Sequence, residues 1–439
     1  MHNARPPSDA VSTGSRRRIL ASSLADTQRP AIAVAVLVMF IALLLMRRPS
    51  VLLHADFWAE DGWVWFPDAY NLGWGSLLRP HAGYLQFLSR AVGLFAQLFP
   101  IAWAPAIFAA AGLLIQALPA AFLVSHRMQG AWPSSWARWL FALGYIGLPN
   151  SDEVYANLTN GQWHLAVLAF LVLVSDPPTS WRSWAFDVAV LILSGLTGPF
   201  CLMLLPVAGW QVLRNRENPA AFARLSLVLV AVLVQSGVLL ATIANRIHGP
   251  LGAGPRTLAR IVSMQILLGA ALGQPAMWWL RSTSLWADNT APVLMTIAGL
   301  MLALLGAYRG SRLLRQACLF AALLLAAALL QPQVAVSDPQ WPLMTVPGIG
   351  ARYYYIPMLV WVGLLFALAS DEARPLRWAG ALLLGLLPVG IALCWKLPEL
   401  RPTSFPQTAQ AFAIAPAGTR MEFPLHPTGA PPMVLIKRE

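Results

Sequence analysis

The chain has 439 residues, 58% of them hydrophobic, a mean hydropathy of +0.61 and a net charge of +12. Charged residues make up only 11%, and the apolar runs between residues 31 and 395 show little amphipathic periodicity, which excludes an ordinary soluble domain. The charge comes from 28 Arg and 2 Lys, and the three cysteines, Cys201, Cys318 and Cys394, all fall inside apolar runs, which leaves no disulfide framework or metal cluster.

Residues 1–30 are polar and carry Arg16, Arg17, Arg18 and Arg29, so a disordered cytoplasmic tail is predicted there. The first apolar run ends in Arg47-Arg48-Pro49 with no small-residue cleavage site, and reads as an anchored span over 31–46. A crossing needs roughly 20 apolar residues. On that basis spans are predicted at 102–124, 138–149, 161–175, 184–195, 198–213, 224–246, 290–308, 316–331, 354–370 and 376–396. The apolar run 84–99 is broken by Gln86, Arg90 and Gln97 and closed by Pro100, and reads as a helix lying along the membrane, with a full span as the alternative. Residues 260–281 read as a re-entrant or interfacial element. The expectation is therefore an all-α membrane protein of eleven spans over 31–396, with a first outer loop at 47–101 and a short outer appendage at 397–439.

Short loops with Arg127 and Arg138, with Arg182, with Arg214, Arg216 and Arg224, with Arg309, Arg312 and Arg315, and with Arg374 and Arg377 fall on one side. The loop 150–160 on the other side has no basic residue, and 332–353 has only Arg352. The positive-inside rule then puts the N-terminus in the cytoplasm and the C-terminus outside. The Ala/Leu/Arg bias of the chain suggests a bacterial inner membrane.

Polar residues gather in the outer loops. Between the first two apolar segments runs His54-Ala-Asp56-Phe-Trp58-Ala-Glu60-Asp61-Gly62-Trp63. Three carboxylates within six positions, beside a membrane and among tryptophans, carry a cost in desolvation and repulsion. Close carboxylates raise one another's pKa, which suits a general base near neutral pH, and their oxygens could also hold a divalent cation. Asp61 and Glu60 are the candidate catalytic pair, with Asp56 as a substrate contact. A solvated acidic loop with tryptophan anchors is the alternative.

Further candidates for substrate contact are His81 and Tyr84, in the polar turn Arg79-Pro-His-Ala-Gly-Tyr84, and Asn157, Gln162, Trp163 and His164, which open a span. Amides suit sugar hydroxyls and an indole face suits a ring. Asn157-Leu158-Thr159 also matches a glycosylation sequon. Gly195-Leu-Thr197-Gly198-Pro199 predicts a tight outer hairpin. Arg352 and Tyr353 precede a late span, where an isolated arginine can bind a phosphate. Helix capping, aromatic belts and snorkelling are the structural alternatives for these groups.

An N-terminal span, an acidic first outer loop, a helix along the membrane, many further spans and a late outer Arg-Tyr pair resemble the GT-C superfamily of multi-spanning glycosyltransferases. The resemblance covers the topology of about residues 31–396. At residue level it rests on Glu60-Asp61 and, more loosely, on Arg352; Phe57-Trp58-Ala-Glu60-Asp61-Gly62 also looks like a segment shared by bacterial membrane proteins of this type. The resemblance implies a polyprenyl-phosphate sugar as donor and a cell-envelope glycan or lipid as acceptor, both met at the outer face. Asp61 or Glu60 would take the acceptor's proton, and Arg352 would hold the leaving phosphate. No cofactor is required by that scheme, and no nucleic acid is an expected partner. The competing classes are a lipid or polysaccharide transporter or flippase, which would place ionisable residues near mid-membrane, and a non-catalytic assembly protein. Among the carboxylates only Asp187 falls within a predicted span.

Overall fold

The computed structural model describes residues 30–242, 249–335, 337–427 and 431–438. The predicted cytoplasmic tail lies outside these residues, except for Pro30. Eight helices are long and apolar enough to cross a membrane: Pro30–Arg47, Ile101–Val124, Pro219–Thr242, Pro255–Arg281, Thr290–Arg309, Arg312–Leu330, Ala351–Ala369 and Arg374–Cys394. The chain is a multi-pass membrane protein built almost wholly of α-helix. Shorter helices at Ser135–Gly147, Gly161–Val174, Trp181–Gly195 and Phe200–Arg214 complete the bundle. At 1.5 Å per residue they rise only about 20–23 Å, less than a typical hydrocarbon layer. Gly161–Val174 is nonetheless buried along nearly its whole length, so it is shielded from lipid by its neighbours.

Two groups of contacts define the ends of the bundle. At one end Arg47, wholly buried, donates to the carbonyls of Ile146, Cys394 and Trp395 at 2.8, 3.3 and 3.2 Å and to Ser151 Oγ at 3.3 Å. This ties the ends of three helices together and satisfies carbonyls that have no intrahelical partner. At the far end Asp187 accepts from Arg127 at 3.0 Å and from Arg224 at 2.7 Å, and Arg309 pairs with Asp371 at 2.7 Å. The far end carries the Arg-rich short loops; the first end carries the acidic and aromatic ones.

Two elements of the first end were ambiguous in sequence. The run 84–99 contains a helix at Phe87–Ala96, only ten residues long. It begins beside Thr197 and runs on into Ile101 at the same end of the bundle, so the alternative of a full span fails on length and on placement. Pro255–Arg281 passes the length test for a crossing. Its neighbours run differently: Gln235 marks the arrival of Pro219–Thr242 at the first end, and Thr290–Arg309 leaves from there towards Asp371. Gln265 donates to the carbonyls of Met344 and Val346, and Arg281 donates to Thr345 O, so both halves return to one loop. A left-handed break at Gly273 (φ 72°) lets the element turn there.

The expected all-α architecture needs one correction. Beyond the last long helix, the described residues 397–427 and 431–438 include a short helix, Phe405–Ile414, and an antiparallel pair of strands, Arg420–Phe423 and Met433–Ile436, in register Arg420 to Ile436. Phe405 and Phe412 meet Phe423, and Phe405 also meets Phe57 of the first loop at 5.5 Å. The appendage thus shares a core with the acidic loop.

Candidate functional site

The acidic loop is folded by strain that its neighbours hold in place. Ala59, Ala82 and Ala156 all adopt left-handed backbone, at φ 46°, 51° and 51°. Such a conformation costs an alanine about 1 kcal/mol or more and persists only where other contacts over-determine it. Here they do: Ala59 N–H donates to His426 O at 2.5 Å, and Ala156 N–H donates to Gln116 Oε1 at 3.1 Å. A π-helical turn then spans Asp61–Trp65, a geometry frequent at functional sites.

Asp61 is 2% exposed. Its Oδ1 accepts from Thr159 N–H at 2.8 Å and from Thr159 Oγ1 at 2.9 Å, and its Oδ2 accepts from Leu158 N–H at 3.0 Å. Three of about four acceptor positions are filled. Burial pushes the carboxyl up to about 7, against the pull of these three bonds, and the charge of Glu60 adds to the rise. Asp61 also lines a cavity of about 20 Å³, with Arg48, Asp56, Tyr155 and Asn157 among the other walls. That is room for about one water molecule.

Glu60 is half-buried and lies outside this bonded cluster. Its charge acts on His81, whose pKa burial lowers, and His81 stands edge-on to Trp65 at 5.0 Å. Trp65 Nε1 donates to Thr159 Oγ1 at 3.0 Å, and Arg90 lies over the Trp65 ring at 5.0 Å while pairing with Asp68 at 2.6 Å. Asp61, Thr159, Trp65 and His81 therefore form one contiguous set. Tyr84 joins it through the paired backbone of His81 and Tyr84. The two adjacent carboxylates have separate surroundings, as their neighbouring positions require.

The other predicted contacts are mostly engaged with protein. Asp56 accepts from Thr403 N–H at 3.0 Å and Thr403 Oγ1 at 2.8 Å, and His426 Nε2 lies 3.5 Å away; it holds the appendage. Asn157 is buried, donates to the carbonyls of Glu153 and Tyr155, and accepts from Asn160 N–H. Burial therefore removes the glycosylation reading of its sequon. Gln162 accepts from Gln86 at 3.1 Å and donates to Thr159 O at 3.2 Å. His164 lies between Tyr145 OH and Val154 O, both at 2.8 Å, inside the bundle. Trp163 packs against Phe200 and Tyr353. Arg352 is ion-paired with Glu153, donates to Gln333 O at 2.8 Å and lies 4.7 Å from the Tyr353 ring. These residues shape the loop 150–160 against which Asp61 is seated.

Gly62, whose place beside Asp61 suggests a backbone open to close approach by a substrate, has a different task. A Cβ there would lie 2.8 Å from Phe57 and 2.7 Å from Leu425, so the glycine permits close packing on the appendage rather than approach by a substrate. The predicted hairpin at 195–199 is present; its Thr197 accepts from Leu88 N–H at 3.1 Å.

Sequence reasoning missed four residues of the site. Gln235, buried within a long helix, accepts from Leu85 N–H at 3.0 Å and donates to the carbonyls of Gly195 and Gly198 at 3.1 Å. Gln116 supports Ala156 in the same way. A lone amide inside an apolar run was the available signal for both. Glu153 sits in the polar run before Gly161–Val174 and carries no signal of its own. Arg48 was read solely as the flank of a span.

No family model and no curated protein matches the chain.

Proposed function

We propose that this protein is a glycosyltransferase that moves a sugar from a polyprenyl-phosphate donor to a glycan or lipid acceptor at the membrane surface. The observation that carries the reading is Asp61: a buried carboxylate, poised near pH 7, lining a cavity at the acidic, aromatic end of a membrane bundle. A base near ambient pH is what deprotonation of an acceptor hydroxyl needs. The acceptor's proton passes to the open position on Asp61 while its oxygen attacks C1 of the sugar. The C1–O bond to the lipid phosphate breaks, the electron pair leaves with the phosphate, and a single displacement inverts C1. Glu60 and His81, on the other side of Trp65, are suited to bind sugar hydroxyls.

The proposed orientation keeps the Arg-rich end in the bacterial cytoplasm and the acidic end outside. Counting the four short helices as crossings and Pro255–Arg281 as re-entrant gives eleven spans, with the N-terminus in and the C-terminus out.

The test is sugar transfer from a polyprenyl-phosphate sugar in reconstituted vesicles. Asp61→Asn is expected to lose about 10²–10⁴ in rate, the usual cost of a general base, with Glu60→Gln less severe. Full activity in the double variant would remove the carboxylate mechanism.

A further inference from the structure

The cavity that Asp61 lines also holds a cation without a partner. Arg48 is 6% exposed, and its Nε is buried with no hydrogen-bond partner. It takes part in none of the ion pairs found among the described residues. The guanidinium lies 5.4 Å from the Tyr155 ring, and the nearby carboxylates of Asp152 and Glu399 stand beyond ion-pair distance. Asp152 is occupied by Gln274 at 2.8 Å.

Its neighbour shows the contrast. Arg47 is buried equally and donates to four oxygens, as buried arginines normally do. Arg352, the cation that sequence suggested for phosphate, is neutralised by Glu153. A desolvated arginine left unpaired is costly, and the group that relieves that cost is an anion with oxygens matching its planar fork. The cavity as it stands has room for about one water molecule, so an entering phosphate must widen it. Arg48 also immediately follows the first long helix, Pro30–Arg47.

We infer that Arg48 is the anion-binding residue of this site and takes the phosphate of a lipid phosphate ester, with Asp61 at the other end of the same cavity. The inference rests on the glycosyl-transfer reading for its donor, but binding can be measured without transfer. The purified full chain in detergent is titrated with farnesyl phosphate, farnesol and inorganic phosphate, and thermal unfolding is followed. Farnesyl phosphate should raise the unfolding temperature with saturation; farnesol and inorganic phosphate should not. Arg48→Gln should abolish that shift and Arg48→Lys should weaken binding at least tenfold, while Arg352→Gln retains it. Unfolding without ligand shows whether the Arg48 variants fold; if Arg48→Gln does not, the Arg48→Lys titration decides.

An unchanged shift in the Arg48 variants would overturn the inference. So would an equal shift with farnesol, which marks an apolar site, or with inorganic phosphate, which marks a site indifferent to lipid. An Arg48-dependent shift together with no sugar transfer would leave the lipid-phosphate site standing and remove the glycosyltransferase reading.

Discussion

Thr159 holds Asp61 twice through one oxygen, by its N–H at 2.8 Å and by its hydroxyl at 2.9 Å. The hydroxyl bond opposes the rise that burial imposes on the carboxyl. Thr159→Val removes it, so the Asp61 pKa should climb beyond about 7. The acid limb of the transfer rate against pH should then move to higher pH, while the rate at its plateau changes little. An acid limb that stays in place would disconnect Asp61 from the base.

Asp61 also makes stability depend on pH. Its folded pKa of about 7 lies above the ordinary carboxylate value of 3.8, so the folded state keeps a proton that the unfolded chain releases. The contribution is full below about pH 4, falls as pH rises towards 7, and is flat beyond. The slope is at most about 1.4 kcal/mol per pH unit in that window. His81, whose pKa is lowered, acts in the opposite sense, so the informative quantity is the difference between wild type and Asp61→Asn. That difference in unfolding temperature should change between pH 4.5 and 7.5 and be constant above.

Asp56 joins the first loop to the appendage through two bonds from Thr403. Asp56→Ala should weaken that attachment by about 1–3 kcal/mol, with both donors left to water or unmet. Hydrogen exchange over 403–438 should quicken while the long helices keep their protection. Unchanged exchange there would show that the aromatic cluster of Phe57, Phe405 and Phe423 suffices alone.

At the far end Asp187 is, among the described residues, the carboxylate that pairs with both Arg127 and Arg224. Asp187→Asn leaves two buried guanidinium groups without their counter-charge, which should cost about 3–5 kcal/mol. The expected result is a sharp fall in unfolding temperature in detergent. Asp371→Asn, whose partner Arg309 is exposed, should cost much less.

Reporter fusions check the orientation. A fusion at residue 312 should report from the cytoplasm and one at 345 from outside. The opposite pair of signals would put the Asp61 cavity on the cytoplasmic side.

The acidic loop was legible because charge is scarce in this chain, and carboxylates beside an apolar run stand out. The bundle was legible for the same reason, since long apolar runs have one stable form in lipid. What was not legible was the pairing. Asp61 and Glu60 are adjacent and alike in sequence, and only the backbone N–H groups of Leu158 and Thr159, 97 and 98 positions away, distinguish them. Arg352 looked free because Glu153, its partner, lies 199 positions away. Arg47 and Arg48 look identical on the page and differ entirely in their bonding. Burial of this kind depends on which loops meet, which composition does not record.

The contacts of Arg47 set an order of assembly. This residue leaves the ribosome with the first long helix, but two of its acceptors, Cys394 O and Trp395 O, arrive with the last. Asp56 likewise waits for Thr403. The site is closed like a clasp whose two halves are made at opposite ends of synthesis. A chain halted before residue 394 therefore lacks two of the acceptors of Arg47 and both donors of Asp56, and the cavity around Asp61 gains its last wall only once Leu400 has been made.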